Sequence, residues 1–259
     1  MRADQLLVAR GLAQSRTLAQ RLIESGRVRA GLALVRKPSE ALADDVELSV
    51  APGDEQRFAS RGGLKLAGAL ARTGVDVRGL ACLDVGQSTG GFTDCLLQAG
   101  AAQVVGVDVG HAQLAARLRD DPRVRCLEGI NARALDREAL AGAMPPQGFA
   151  VVVVDVSFIS LTLVLPRLAG LGAPGAHLLA LVKPQFEVGR EGLDGRGLVK
   201  SPQLYEGVRD AVTGCAQRHG WDVVDWFDSP ITGGDGNREF FIHALRRDSG
   251  ALGEPDDAR

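Results

Sequence analysis

Residues 83–94 read LDVGQSTGGFTD. An apolar run carries Asp84, a glycine-rich turn follows through Gly86, Gly90 and Gly91, and Phe92 opens a helical stretch. Strand, tight turn and helix in that order start a βαβ unit, and the glycines let backbone approach a ligand closely. The same alternation extends outward from this turn. Apolar strand candidates lie at 80–86, 103–109, 124–129, 149–157 and 177–183, with helical stretches between them. That order predicts a mostly parallel α/β sheet with helices on both faces. Two later runs, 222–229 and 238–245, flank the loop PITGGDGN and predict an antiparallel hairpin at the sheet edge.

The turn alone is a weak sign of nucleotide binding, but a second acid strengthens it. Asp108 ends the next strand, 24 residues after Asp84. In a Rossmann-like sheet an acid there bonds the ribose hydroxyls of an adenosine. The glycine spacing is G-x-x-x-G-G, not the G-x-G-x-x-G that cradles a pyrophosphate, and no Gly-Lys-Ser/Thr follows. Asp84 before the turn would repel phosphate and suit the ammonium of an amino acid. These features favour S-adenosylmethionine over a dinucleotide.

Residues 1–40 differ in charge from the rest. They carry eight basic and three acidic residues, while the 259-residue chain has a net charge of −2. A basic patch at one end suggests a polyanion-binding module, although a solvated helix face has the same composition. Two short helices are predicted, one over ADQLLVARGL stopped by Gly11, one from an N-cap at Ser15 to Gly26. Short strands follow, ending in DVELSV. The polar stretch 51–58 reads as a linker, and the tail 248–259 as disordered. The expected division is 1–58, 59–247 and the tail. One Tyr and two Trp leave little for a base-stacking platform, so a polyanion would be held through its charge.

No stretch approaches the roughly 18 apolar residues of a membrane span, and the N-terminus has no signal-like apolar core. Four scattered cysteines without a CxxC pair argue against a zinc site or disulfide framework and fit the cytoplasm. No metal is expected.

Methyl transfer needs an in-line nucleophile and often a base. The fourth strand ends DVSFIS, without the Asn/Asp-Pro-Pro-aromatic tetrapeptide of amino methylation, and no cysteine stands at a strand end. An oxygen nucleophile such as a ribose 2′-hydroxyl remains. Asp155 and Lys183 end the fourth and fifth strands, Lys65 lies at the start of the first helix of this region, and Glu239 starts the last strand. Ligands of such sheets sit outside the carboxyl ends of the strands, where Asp155 and Lys183 converge. A lysine acts as a base only when neutral. Desolvation and a cation such as Lys65 favour that form, while Asp155 and Glu239 oppose it and orient the amine. Read singly, each residue also has a structural explanation: a solvated helix residue, a helix cap, a snorkelling strand end, a hairpin ion pair.

Lys65, Asp155, Lys183 and Glu239 resemble the Lys-Asp-Lys-Glu tetrad of FtsJ-like ribose 2′-O-methyltransferases. ASRGGLKL, LDVGQSTGGFTDCLL, DVSFIS, LVKPQFEVGRE and GNREFF resemble the TlyA family in particular. Residues 1–58, with Arg2, Asp4, Ser15-Arg16, Leu22-Ile23-x-x-Gly26-x-Val28 and Lys37-Pro38-Ser39, resemble an S4 RNA-binding domain. The resemblance covers nearly the whole chain. It implies a Rossmann-like methyltransferase sheet with a small N-terminal α+β S4-like domain. It implies S-adenosylmethionine-dependent 2′-O-methylation of a cytidine in ribosomal RNA, in the large subunit and in some members the small one. Some members carry the name haemolysin. A non-catalytic ribosome-assembly factor that keeps the fold is the alternative. The resemblance places cofactor contacts at Asp84, Gly86, Gly90, Phe92, Asp108, Asn131 and Asp155. It places RNA contacts at Arg2, Arg16, Arg21, Arg27, Arg29 and Lys37. Gln87 departs from the family, which has a small residue there, and either narrows the turn or faces solvent. His111 and Ala112 stand where an aromatic and a glycine are common.

Overall fold

The computed structural model describes residues 1–13, 15–51, 57–140 and 142–247. The expected tail, 248–259, and most of the expected linker, 52–56, lie outside the described residues. The chain divides into two compact units, Met1–Arg57 and Phe58 onward.

In the first unit, α1 (Ala3–Ala9) and α2 (Arg16–Glu24) pack on a small antiparallel sheet. Its strands are β1 (Val28–Ala30), β2 (Ala33–Leu34) and β3 (Leu48–Val50), in the order β2-β1-β3. Ser15 caps α2 as its residue type predicts, its side chain accepting from the Leu18 amide. Gly11 and Gly26, both with positive φ, follow the two helices. Leu7, Leu22, Ile23 and Val28 fill the core.

The second unit holds a seven-stranded sheet in the order β6-β5-β4-β7-β8-β10-β9. The strands are β4 (Ala81–Val85), β5 (Gln103–Asp108), β6 (Val124–Glu128), β7 (Phe149–Val154), β8 (Gly172–Val182), β9 (Trp221–Asp228) and β10 (Phe240–Arg246). Pairings among β4 to β8 are parallel; β10 runs antiparallel to both β8 and β9. The strand order reverses between β4 and β7, so a switch point opens beside Val85 and Val154. Continuous apolar runs account for the central strands: Val151 to Val154 and Leu178 to Val182 are buried on both faces. One core packs the face bearing Leu83, Val152, Ala180 and Ile242; the other packs Val153, Leu179 and Phe241 against α3 (Gly62–Thr73) and α4 (Gly91–Gln98).

The connections hold less helix than the expected helical stretches. Between β5 and β6 there is only α5 (Ala116–Arg119), and between β7 and β8 a 3₁₀ turn and α6 (Leu165–Leu168). From β6 to β7 the described residues hold a single 3₁₀ turn, Ala132–Ala134. Apolar anchors such as Leu135, Leu140 and Leu161 cover the sheet without a long helix. A longer helix, α7 (Leu204–Arg218), precedes β9. Strand β8 begins five residues before the expected 177, because Gly172 already pairs with Phe149 ahead of an irregularity.

Candidate active site

Strand register brings the four singled-out charges to one end of the sheet. Phe240 pairs with Val182, so Glu239 and Lys183 leave adjacent strands side by side. Asp155 follows β7, its amide still bonded to the Val85 carbonyl. Lys65 rises from the first turn of α3. The four form two ion pairs. Lys183 Nζ lies 2.7 Å from Asp155 Oδ1 and donates a directed hydrogen bond to Ser157 Oγ at 2.8 Å. Lys65 Nζ donates to Glu239 Oε2 at 2.5 Å. Glu239 thus orients Lys65, while Asp155 and Ser157 orient Lys183. Burial pushes the Glu239 carboxyl up, and the Lys65 bond and the Lys183 charge pull it back, which places both amines within electrostatic reach of one carboxylate.

Two clefts meet at this point. A smaller one of about 220 Å³ is lined by Ser60, Lys65, Phe92, Asp155, Ser157 and Lys183, among others. A larger one of about 490 Å³ includes Asp108, Asn131, Arg133, Phe158 and Ile159. Gly86, Ser88, Asp155 and Ser157 border both. The volume of the larger cleft suits a small-molecule ligand.

The larger cleft has the features of a nucleoside site. Asp108 is held by two backbone donors, Ser88 N and Gly110 N, each at 2.7 Å. Each carboxylate oxygen keeps a second lone pair for ribose hydroxyls. Ile130, Val109 and Ile159 supply apolar walls, and Asn131, bonded to the Arg133 amide, a polar one. Gly86 has φ +88, and a Cβ there would sit 2.4 Å from the Asp155 carbonyl oxygen, so only glycine fits the turn against β7.

Of the expected cofactor residues, Gly86, Phe92, Asp108, Asn131 and Asp155 border a cleft, while Asp84 and Gly90 do not. Asp84 is fully buried beneath the turn and accepts from Thr93 Oγ1 at 2.7 Å. Burial pushes its carboxyl up to about 7, with the Thr93 bond opposing and the Asp155 charge adding. Asp84 therefore lies beneath the turn and not on the surface of either cleft. Gly90 serves packing: a Cβ there would strike Leu118 and Leu114. Gln87 does not face solvent. It is buried over Gly106, donating to Thr93 Oγ1 at 2.8 Å. Asp84 Oδ1 and Gln87 Oε1 are buried oxygens with no protein hydrogen-bond partner beneath the turn. At Ala112 the backbone has φ +55, held by a bond from its amide to Glu128 Oε1, which is the physical reason a glycine suits this position.

Three of the cysteines are disfavoured as thiolates. Burial pushes Cys82 up to about 12 and raises Cys126 and Cys215 as well.

Sequence reasoning missed Ser60, Ser157 and Phe158. Phe158 is 90% exposed at the cleft, with φ +62 and its ring 5.1 Å from Phe186. Counting Trp and Tyr overlooked this aromatic surface; the signal in the sequence was a lone Phe in the polar end of a buried strand, SFIS.

In the first unit, Arg2 and Arg16 both pair with Asp4, which is fully buried and held well below the usual carboxylate range, with the Arg2 hydrogen bond the largest cause. Arg27 donates to the Ala51 carbonyl and Arg29 to the Leu32 carbonyl. Arg21 and Lys37 are exposed.

Residues 58–246 match the FtsJ-like methyltransferase family. The chain belongs to that family. Residues 1–45 match the S4 domain ahead of the FtsJ-like region. The 16S/23S rRNA (cytidine-2′-O)-methyltransferase TlyA of Mycobacterium tuberculosis is 48% identical over 242 residues, 93% of this chain and 88% of that protein. Hemolysin A of Brachyspira hyodysenteriae is 35% identical over 95% of this chain and all of that one. The solved structure of a putative hemolysin from Streptococcus thermophilus is 41% identical and superposes with a TM-score of 0.73, covering 96% of this chain and 89% of that one. The fold alone is shared with a putative S-adenosylmethionine-dependent methyltransferase from Listeria monocytogenes, at a TM-score of 0.54 and 13% identity over 72% of this chain and 98% of that one.

Proposed function

We propose that this FtsJ-like protein methylates the ribose 2′-hydroxyl of a cytidine in ribosomal RNA, using S-adenosylmethionine. The observation that carries this reading is the pair of ion pairs, Lys183–Asp155 and Lys65–Glu239, at the junction of the two clefts. Similarity to the cytidine-2′-O-methyltransferase TlyA supports the substrate, in 23S and also 16S RNA.

S-adenosylmethionine supplies an activated methyl group. Asp108 and Asn131 would hold its nucleoside end, and Gly86, Phe92 and Asp155 its methionine end. In its neutral form Lys183 accepts the 2′-hydroxyl proton; Asp155 and Ser157 aim its nitrogen. Lys65, tethered at Glu239, supplies positive charge toward the developing alkoxide. Phe158 offers its exposed face to the acceptor base; such stacking is worth about 1–3 kcal/mol. The basic residues of the first unit dock the RNA through phosphates, which gives affinity and position. The protein would act in the cytoplasm, on rRNA or ribosomal subunits.

The test is primer extension at low dNTP on rRNA from cells lacking the gene and from complemented cells. A stop that appears only with the gene is expected. Identical traces would overturn the reading, and a mapped stop names the nucleotide.

A further inference from the structure

Two segments leave the sheet side by side and build one wall of the cleft mouth. Residues 155–162 continue from β7, and residues 183–187 continue from β8. Three contacts join them in order. Lys183 meets Asp155 and Ser157. The Phe186 ring meets Phe158. Glu187 closes the series: its Oε2 accepts from Ser160 Oγ at 2.6 Å and its Oε1 from the Leu161 amide at 2.7 Å.

The first contact belongs to the proposed proton transfer, and the second presents the exposed aromatic face. Glu187 reaches neither cleft. It is partly buried, and burial raises its carboxyl against the two bonds that stabilise it. A carboxylate is a costly way to fill such a place, and its bonds go to one short segment. Just ahead of that segment stands Phe158, with a left-handed backbone and an almost wholly exposed ring. A bulky residue keeps that conformation only where its surroundings over-determine it. Asp155, held through its amide at Val85, fixes the segment before Phe158; Glu187 fixes it after, at Ser160 and Leu161.

We infer that Glu187 is a positioning residue that holds Phe158 in its left-handed conformation, so that the ring meets the acceptor base, without itself touching cofactor or substrate. The inference rests on the RNA-methylation reading above. Glu187 then governs the rate of transfer through Phe158.

The test is a double-mutant cycle in single-turnover methyl transfer to rRNA at saturating S-adenosylmethionine, with cofactor affinity by calorimetry and thermal unfolding measured alongside. E187A lowers the transfer rate at saturating cofactor roughly tenfold, the size expected of a small misplacement, and calorimetry separates this loss from any change in cofactor affinity that follows from the place of Phe158 on the larger cleft. E187Q recovers most of the rate. Its amide oxygen accepts from Leu161 N and its amide nitrogen donates to Ser160 Oγ, whose own hydrogen turns to Thr162 Oγ1, 2.6 Å away. In the F158A background E187A has no further effect. Additive losses, or equal rates for E187A and the unaltered protein, would overturn the inference. If E187A does not fold, S160A removes half of the clamp and the same cycle with F158A decides. If the unaltered protein transfers no methyl group to RNA, the methylation reading itself fails, and the inference with it.

Discussion

Lys183 is the residue on which the chemistry turns. Its position was legible, because an apolar strand runs straight into Lys183 and Pro184, and so was its convergence with Asp155; the bond to Ser157 was not. Asp155 and Ser157 hold it. K183A should lower methyl transfer by about 10²–10⁴-fold, the usual worth of a positioned acid–base group, and leave S-adenosylmethionine affinity unchanged. Tritiated-methyl transfer and calorimetry check the two halves; retained transfer would remove Lys183 from the mechanism. Asp84 predicts a pH effect. Its carboxyl stands near 7 in the folded protein, above the ordinary value, so the folded state binds more protons than the unfolded one between about pH 4 and 7. Its contribution to stability is therefore lost as pH rises through that window. Between pH 5.5 and 8 the loss amounts to about 2 kcal/mol, and D84N should abolish that part of the pH dependence. Urea denaturation at the two pH values measures it.

Among the elements, the β5–β6 connection shows how a local departure is accommodated. The backbone turns left-handed at Ala112 and is tied to Glu128 in β6. A112G should stabilise the protein by about 1 kcal/mol, because an L-residue pays that much in this conformation. Thermal unfolding gives the sign directly, and a lowered midpoint would contradict the assignment. The strands were readable from apolar period and length, down to the antiparallel final pair. The helical stretches expected between the strands come out shorter, because apolar residues such as Leu135 and Leu161 cover the sheet without a long helix. They act instead as single anchors under 3₁₀ turns and irregular chain.

For the molecule as a whole, the basic excess is confined to residues 1–40; Asp44, Asp45, Glu47, Asp54 and Glu55 bring the unit Met1–Arg57 close to neutral. Within the basic stretch, exposed Arg21 and Lys37 contrast with Arg2 and Arg16, which Asp4 organises. R21E should weaken rRNA binding and lower the slope of log affinity against log salt by about one phosphate contact. Filter binding over a potassium chloride series reads both, and cofactor affinity stays constant. Among the described residues no helix is long and apolar enough to cross a membrane.

The sequence by itself determined the alternation of strands and helices, the glycine turn and the residue types of the candidate site. Those signals are local: period, turn chemistry, and an ionisable group at the end of an apolar run. Only the tertiary structure decided who pairs with whom. Lys65 and Glu239 are 174 residues apart, and strand order and register bring them together. The same packing withdrew Asp84 beneath the turn, pressed Gln87 onto Gly106, and set Phe158 and Glu187 on neighbouring segments. Burial and pairing depend on what the fold lays against each side chain, and no local pattern carries that information.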